Sequence, residues 1–310
     1  MGCSGNHSPT DGVRQSSTSS THRFEAIRDQ HASLDGVRRA LRSEGLESCN
    51  LIVAVDFTAS NTGAGRNSFF VRSLHHLGQH PGADLNPYEQ AIRIIGNTLA
   101  IFDEDQLIPA YAFGDASCQD SHVFSFKPGD EPCRGLDEVL QRYRQLVPHV
   151  RLAGPTSFAP IIRQACQVVN DSGGQFHILL LIADGQVTRR VDVEPGQLSP
   201  QEAATAEALV EASALPLSGV MVGVGDGPWE QMREFDDALT QRMFDNFQFV
   251  NFTEVTAAYG ADTSRGLMEF ARQALMEVPE QYKDWLSSGN ASPMTHQPLS
   301  SRQLAAESCA

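Results

Sequence analysis

Two short apolar runs constrain the fold of this chain more than any other sequence feature. Residues 51–57 read LIVAVDF and residues 177–183 read HILLLIA, so each run is apolar for most of its length. A strand exposed on one face alternates apolar and polar residues, whereas a strand covered on both faces reads as a continuous apolar run. The two runs therefore predict strands that lie inside a parallel sheet.

Helix-like and strand-like segments alternate along the chain. Periodicity predicts helices at 24–41, 87–102, 136–147, 158–169, 200–212, 229–239 and, closing the chain, 265–276. Further strands are predicted at 107–113, 217–224 and 247–252. This alternation is typical of an α/β fold with a doubly wound, mostly parallel sheet flanked by helices. No linker-like stretch interrupts it, so we expect a single domain over residues 24–285, although 310 residues would suggest about two.

The two ends of the chain have a different composition. Residues 1–23 and 286–310 are rich in small and polar residues, and such segments do not repay the entropy of ordering. We therefore predict two disordered tails. Gly2 followed by Cys3 suits N-myristoylation with palmitoylation beside it, and two acyl chains would hold the protein on a membrane. Asn6 stands where that motif usually has Ser or Thr, so an ordinary flexible N-terminus remains the alternative.

Charge and cysteine spacing exclude several classes of function. Asp and Glu outnumber Lys and Arg by 38 to 23, and a net charge of -15 argues against nucleic-acid binding. The six cysteines form no C-x-x-C pair, and the N-terminus has no apolar signal core. Free thiols without a signal predict a cytoplasmic location, with plasma-membrane association if the N-terminus is acylated.

Oxygen-bearing side chains follow the predicted strands at one edge of the sheet. The first apolar run ends in DFTAS, the strand at 177–183 is followed by an aspartate, and a GPTSF loop precedes the helix at 158–169. Ligands of doubly wound sheets bind beyond the carboxyl ends of the strands. We therefore predict that one site contains Asp56, Thr58, Ser60, Thr156 and Asp184.

Two carboxylates and three hydroxyls are hard ligands that suit Mg²⁺ or Mn²⁺, with Ca²⁺ also open. Alternation along DxTxS turns its three polar side chains toward one side. Each residue alone could instead be a turn residue or a helix cap. It is the combination, in this order at one predicted edge, that favours an ion site.

Other motifs favour structural interpretations. Gly223, Gly225 and Gly227 follow a strand, but Pro228 breaks the dinucleotide-binding pattern, so a strand-to-helix turn is favoured. The cluster of His75, His76 and His80 lacks the acid of a zinc-protease helix, and a surface loop is favoured there. Cys118 and Cys133 are interpreted as free thiols.

Several segments of residues 45–282 resemble a known family. DFTAS-N, GPTSFAP and ADG are similar to the metal-ion-dependent adhesion site of copine-type von Willebrand factor A domains, and GLESCNLIVAVDFT, SLHHLG and VGVGDGPWEQMREFDD resemble the RING domain ligase group of that branch. The resemblance implies a Rossmann-like A domain, the five residues above around Mg²⁺ or Mn²⁺, binding of protein partners, and the nucleus as a further location. The ligase group carries a C-terminal RING finger, whereas residues 283–310 contain a single cysteine, Cys309.

Two functions follow as expectations. The first is a divalent-cation-dependent protein-binding adaptor, membrane-tethered if acylated, whose partner presents an acidic residue to the metal. The second is a component or regulator of ubiquitin ligation without a RING finger of its own. No catalytic constellation is visible in the sequence, so an enzymatic role rests on the resemblance alone.

Overall fold

The secondary structure follows the alternation expected from the sequence. The computed structural model describes residues 33–46, 48–70, 72–79, 84–189, 191–194, 197–237, 239, 241–260 and 263–288. The strands are β1 (Asn50–Asp56), β2 (Leu107–Ile108), β3 (Ala110–Phe113), β4 (Phe124–Ser125), β5 (Cys133–Arg134), β6 (His177–Ala183), β7 (Leu217–Gly223) and β8 (Phe247–Asn251). The helices are α1 (Leu34–Ser43), α2 (Pro87–Leu99), α3 (Gly135–Leu146), α4 (Ala159–Asp171), α5 (Pro200–Ala212), α6 (Glu230–Asp237), α7 (Phe252–Tyr259), α8 (Ser264–Leu275) and α9 (Val278–Ser287).

Six strands form the main sheet in the order β4-β3-β1-β6-β7-β8. Every neighbouring pair is parallel except β3 and β4, so the single antiparallel strand lies at one edge. In the centre, Val53 of β1 is in register with Ala110 on one side and Leu180 on the other. The prediction of a doubly wound, mostly parallel sheet flanked by helices is therefore confirmed.

The inner strands are buried on both faces, as their apolar runs predicted. Val53 and Val55 of β1 face a core that includes residues of α2 and α8. Ile52 and Ala54, which alternate with them, face a second core formed with α4 and α5. Because complete burial of a large aliphatic side chain contributes about 1.5–3 kcal/mol, the two faces together hold β1 in the middle of the sheet.

Two of the helices begin with a capping box. The Asn86 side chain accepts from the Glu89 amide, the Glu89 carboxylate accepts from the Asn86 amide, and Pro87 occupies the first turn of α2. Ser199 and Glu202 repeat the arrangement at α5. None of the helices in the described part of the chain combines the length and apolarity needed to cross a bilayer.

Two predicted elements were wrong. The strand expected at 107–113 is divided at Pro109, and β2 pairs with β5 in a separate two-stranded sheet. The helix at 265–276 does not close the chain, because α9 follows it with Pro279 in its first turn. The predicted domain end at 285 falls inside α9, where Tyr282 packs edge-on against Phe176 at 5.0 Å between ring centroids.

Helix α7, which directly follows β8, was also not predicted. The first helix begins at Leu34 with Ser33 as its cap, and the rest of the predicted segment at 24–41 lies outside the described residues. The predicted tails, apart from residues 286–288, lie outside them as well.

Candidate metal centre

Two aspartates meet at the carboxyl edge of the sheet. Asp56 is the last residue of β1, and Asp184 directly follows β6, the parallel neighbour of β1. Both side chains are almost wholly buried, with relative exposures of 0% and 1%. The strand register brings together two carboxyl groups that are 128 positions apart in the sequence (184 minus 56).

A chain of hydrogen bonds connects these carboxyl groups through two hydroxyls. Asp56 Oδ1 accepts from the Thr58 amide at 2.7 Å, and the Thr58 and Ser60 hydroxyls are 2.9 Å apart. Ser60 Oγ donates to Asp184 Oδ1 at 2.9 Å. A short 3₁₀ turn, Ala59–Thr62, carries Ser60 back toward the sheet. Four of the five predicted ligands therefore form one connected cluster.

The two carboxyl groups lack partners for their remaining oxygens. Asp56 Oδ2 and Asp184 Oδ2 are buried and make no hydrogen bond to any residue that the structure describes. Burial raises the pKa of Asp56, and the nearby charge of Asp184 raises it further. Burial likewise raises the pKa of Asp184 from 3.8 to about 6. Unpaired buried carboxylates are unfavourable, and a divalent cation held by oxygen ligands would compensate both.

The loop that contains Thr156 is attached to this cluster from two sides. The Ala59 amide donates to the Ala153 carbonyl at 2.5 Å, which joins the loop to the turn after β1. The Thr156 amide donates to Thr188 Oγ1 at 2.8 Å, and the Thr188 amide donates back to the Thr156 carbonyl at 3.0 Å. Thr156 itself is 7% exposed. Its loop thus lies between the DFTAS turn and the segment that follows Asp184.

Gly114, at the end of β3, was not identified from the sequence. It has a φ of +82°, and a Cβ there would lie 2.3 Å from Thr58 Cγ2 and 3.2 Å from Asp56 Oδ1. Any larger residue would therefore push into the cluster while adopting an unfavourable backbone conformation. The available signal was a glycine directly after a predicted strand at the same edge of the sheet.

The surface-loop interpretation of the histidine cluster was wrong for His75. This residue is 4% exposed and lies beneath Asp56, whereas His76 is exposed and His80 lies outside the described residues. Burial lowers the pKa of His75 to about 3, so the ring is neutral at physiological pH. Among the residues described, no group of three or more His, Cys, Asp or Glu is arranged to hold a metal ion.

The turn after β7, which contains Gly225 and Gly227, packs against the loop that follows Ser60. Gly225 has a φ of +92°, and a Cβ there would lie 2.6 Å from the Ala64 carbonyl oxygen. Next to it, the Asp226 carboxylate accepts from the amides of Asn67 and Ser68 at 2.9 and 3.0 Å. The turn therefore has a structural role, since it fixes the position of the loop after Ser60.

The remaining predicted positions have simple outcomes. Cys118 and Cys133 are buried free thiols, as expected, and burial raises their pKa values to about 12 and about 11. Gly2 and Cys3 lie outside the described residues.

The sequence matches a family model and several characterised relatives. The model described as Copine matches residues 73–294. The chain is 59% identical to the E3 ubiquitin-protein ligase RGLG2 of Arabidopsis thaliana over 261 residues, which are 84% of this chain and 55% of the relative. It is 51% identical to RGLG3 of the same plant, covering 88% of this chain and 74% of the relative. Copine family protein 1 of Caenorhabditis elegans is 45% identical over 81% of this chain and 21% of its own length.

Coverage of these relatives is unequal. The chain spans about half the length of the two RGLG proteins RGLG1 and RGLG2, at 52% and 55%. The solved structures with similar folds are distant. They include manganese-loaded TRAP protein of Plasmodium vivax, with 12% identity, a TM-score of 0.44 and coverage of 73% of this chain and 74% of that one. A von Willebrand factor type A protein from Catenulispora acidiphila has 14% identity, a TM-score of 0.42 and coverage of 69% and 42%. On the family match and the identities to its relatives, the chain belongs to the copine family.

Proposed function

We propose that this chain is a divalent-cation-dependent protein-binding adaptor, in which Mg²⁺ or Mn²⁺ is held by Asp56, Thr58, Ser60, Thr156 and Asp184. The observation that carries the proposal is the pair of buried, unpartnered carboxylate oxygens on Asp56 and Asp184, beside linked hydroxyls. Oxygen ligands of this kind suit hard cations, so the larger ion Ca²⁺ would compete with Mg²⁺ and Mn²⁺ for the same site.

The partner would contribute an acidic residue to the ion. Neutral hydroxyls leave much of the cation's charge available, and a carboxylate is its natural additional ligand. The chain carries a net charge of -15, which repels acidic partners at long range. A bound cation would reverse that repulsion locally, so recognition would depend on the ion.

Isothermal calorimetry with Mn²⁺, Mg²⁺ and Ca²⁺ tests the ion site. We expect one Mn²⁺ per wild-type chain and no measurable binding by Asp56→Ala or Asp184→Ala. Asp171→Ala is the matched control, because it also removes an aspartate carboxylate. Asp171 is exposed and is the last residue of α4, at the opposite end of that helix from the Thr156 loop. Equal Mn²⁺ affinity in the wild type and both site variants would refute the site.

Partner binding is tested with a protein that the immobilised chain retains in a buffer containing Mn²⁺. We expect EDTA to release it, and we expect one acidic residue of its interface to be essential when the interface acids are replaced one at a time. Thr156→Ala should weaken this binding more than it lowers the thermal midpoint, because its hydroxyl would serve the ion. Binding that is insensitive to EDTA would make any bound ion structural only.

A second candidate function is a component or regulator of ubiquitin ligation. The specific observation in its favour is the 49–60% identity to five Arabidopsis proteins named E3 ubiquitin-protein ligases. The sequence has no C-x-x-C pair for RING zinc, so we expect no ubiquitin transfer by this chain with E1, E2 and ATP alone. Autoubiquitination by the isolated chain would overturn that expectation.

Membrane tethering through Gly2 and Cys3 is a separate proposal. One myristoyl chain gives marginal, reversible binding, so both acylations are required for stable attachment. In cells that acylate proteins, Gly2→Ala should move the chain from membranes to the cytosol, and Cys3→Ser should do so partially. A wild-type chain found only in the cytosol or nucleus would exclude the tether.

A further inference from the structure

His75 lies in an aromatic stack directly beneath the candidate metal centre. Its ring is parallel to Phe57 on one side, at 4.4 Å and 7°, and to Tyr88 on the other, at 4.3 Å and 14°. Tyr143 of α3 is tilted against the stack at 5.9 Å from His75. The ring is therefore fixed by Phe57, which directly follows β1, and by side chains of α2 and α3, and its two nitrogens make its polar contacts.

The hydrogen-bond partners of His75 define where its proton resides. Nε2 is 2.8 Å from the Asp56 carbonyl oxygen, which can only accept, so Nε2 carries the hydrogen. Nδ1 is 2.8 Å from the Tyr143 hydroxyl. That hydroxyl accepts from Asn86 Nδ2 at 3.0 Å, which leaves its own proton for Nδ1. One proton arrangement thus satisfies Asn86, Tyr143, His75 and the Asp56 carbonyl together.

The Asp56 carbonyl lies where the ladder of β1 ends and the DFTAS turn begins. Asn61 Nδ2 approaches the same oxygen at 3.4 Å and the Thr58 carbonyl at 3.2 Å. Tyr88, which stacks on His75, donates its hydroxyl to Asn61 Oδ1 at 2.7 Å. The stack therefore supports the backbone that follows the Asp56 side chain, through His75 at the Asp56 carbonyl and through Asn61 within the turn.

We propose that His75 is a positioning residue of the cation site: by donating Nε2–H to the Asp56 carbonyl, within the frame of Tyr143 and Asn86, it fixes the direction in which the Asp56 carboxylate leaves β1. His75 does not contact the ion in this arrangement. This inference rests on the proposed cation binding. Groups that orient the ligands of a metal without touching it commonly change metal affinity by about 10–100-fold when they are removed.

The first test compares His75→Phe with Phe270→Leu. Phenylalanine retains the aromatic stack and removes both hydrogen bonds, whereas Phe270 is buried in α8 and packs on Phe252, away from the cluster. Mn²⁺ affinity is measured by calorimetry and the thermal midpoint by scanning calorimetry, in EDTA, for each variant. We expect His75→Phe to weaken Mn²⁺ binding about tenfold or more, and Phe270→Leu to lower the midpoint without changing the affinity.

The outcomes separate the two proposals. A wild type that binds no Mn²⁺ refutes the cation site. If the wild type and His75→Phe bind Mn²⁺ equally well, only the positioning role is refuted. The positioning role is also refuted if Phe270→Leu loses as much Mn²⁺ affinity as His75→Phe does.

A second variant and a spectroscopic measurement apply even if His75→Phe does not fold. Tyr143→Phe removes the donor to Nδ1 and retains the ring, so we expect it to weaken Mn²⁺ binding, by less than His75→Phe does. Imidazole ¹⁵N shifts of the wild type, without metal and with Mg²⁺, should show the Nε2–H form of His75 in both states. Finding the Nδ1–H tautomer of His75 overturns the proposal. So does an unchanged Mn²⁺ affinity in Tyr143→Phe together with rapid exchange between the two tautomers in the wild type.

Discussion

Replacing Asp184 with asparagine is expected to separate the stability of the fold from its capacity to bind a cation. Asparagine keeps an oxygen in the position that accepts from Ser60 Oγ, and it replaces the unpartnered Oδ2 with an amide group. That amide can donate toward the unpartnered oxygen of Asp56. The variant therefore loses a buried charge and retains the shape and the hydrogen bond of the wild-type side chain.

The magnitude follows from the pKa of Asp184. Burial raises it from 3.8 to about 6, and about two units correspond to about 3 kcal/mol of differential stability. Because the folded-state pKa is the higher one, the wild-type carboxyl contributes its full stability below pH 3.8 and loses it as the pH rises to about 6. At pH 7 without metal, Asp184→Asn should thus be more stable than the wild type by up to about 3 kcal/mol.

Urea denaturation in EDTA at pH 4 and pH 7 measures this difference. We expect a gain for Asp184→Asn at pH 7 and almost none at pH 4. Mn²⁺ at about one hundred times its dissociation constant should then stabilise the wild type by about 2.7 kcal/mol and leave the variant unchanged. Asp171→Asn, an exposed substitution, should follow the wild type under all conditions. An Asp184→Asn chain that is less stable than the wild type at pH 7 in EDTA would refute the reasoning.

Three further predictions follow from contacts near and away from the site. Gly114→Ala should lower the free energy of unfolding by about 2 kcal/mol or more and weaken Mn²⁺ binding, since its Cβ meets Thr58; unchanged urea midpoints and affinity would contradict this. The Asp226 carboxylate accepts from the amides of residues 67 and 68, so Asp226→Ala should increase the rate of hydrogen exchange at these two amides. Equal exchange rates in the wild type and the variant would contradict a stabilising role of these hydrogen bonds. Of the two lysines in the sequence, Lys283 has a side-chain exposure of 50% and Lys127 of 12%, so an N-hydroxysuccinimide ester should label Lys283 first by mass spectrometry; preferential labelling of Lys127 would contradict the structure.

The candidate site shows how far sequence reasoning reaches. Asp56, Thr58, Ser60 and Asp184 were predicted as one group because each lies at or after the end of a strand that could be recognised from its apolar run, and parallel strands bring their carboxyl ends to one edge. Gly114 and His75 were not identified, because their roles depend on contacts with Thr58 and with the Asp56 carbonyl that no local pattern contains.

The sequence by itself determined the class of fold and the position of most elements. Continuous apolar runs predict buried strands and a periodicity of 3.6 predicts helices, while Asn86 and Ser199 mark helix starts through contacts within four residues. All of these depend on neighbours along the chain, so they can be recognised without knowing the fold.

Only the tertiary structure decided the order of the strands, the burial of His75 and the existence of α9. The order β4-β3-β1-β6-β7-β8 places side by side strands that are far apart in the sequence, such as β1 and β6. His75 is polar and follows no apolar run, yet it is enclosed by Phe57 after β1, Tyr88 of α2 and Tyr143 of α3. Helix α9 is held by the packing of Tyr282 and Trp285 on Phe176, more than a hundred residues earlier in the chain. In each case the stabilising contacts join distant parts of the sequence, so they arise only when the chain has folded.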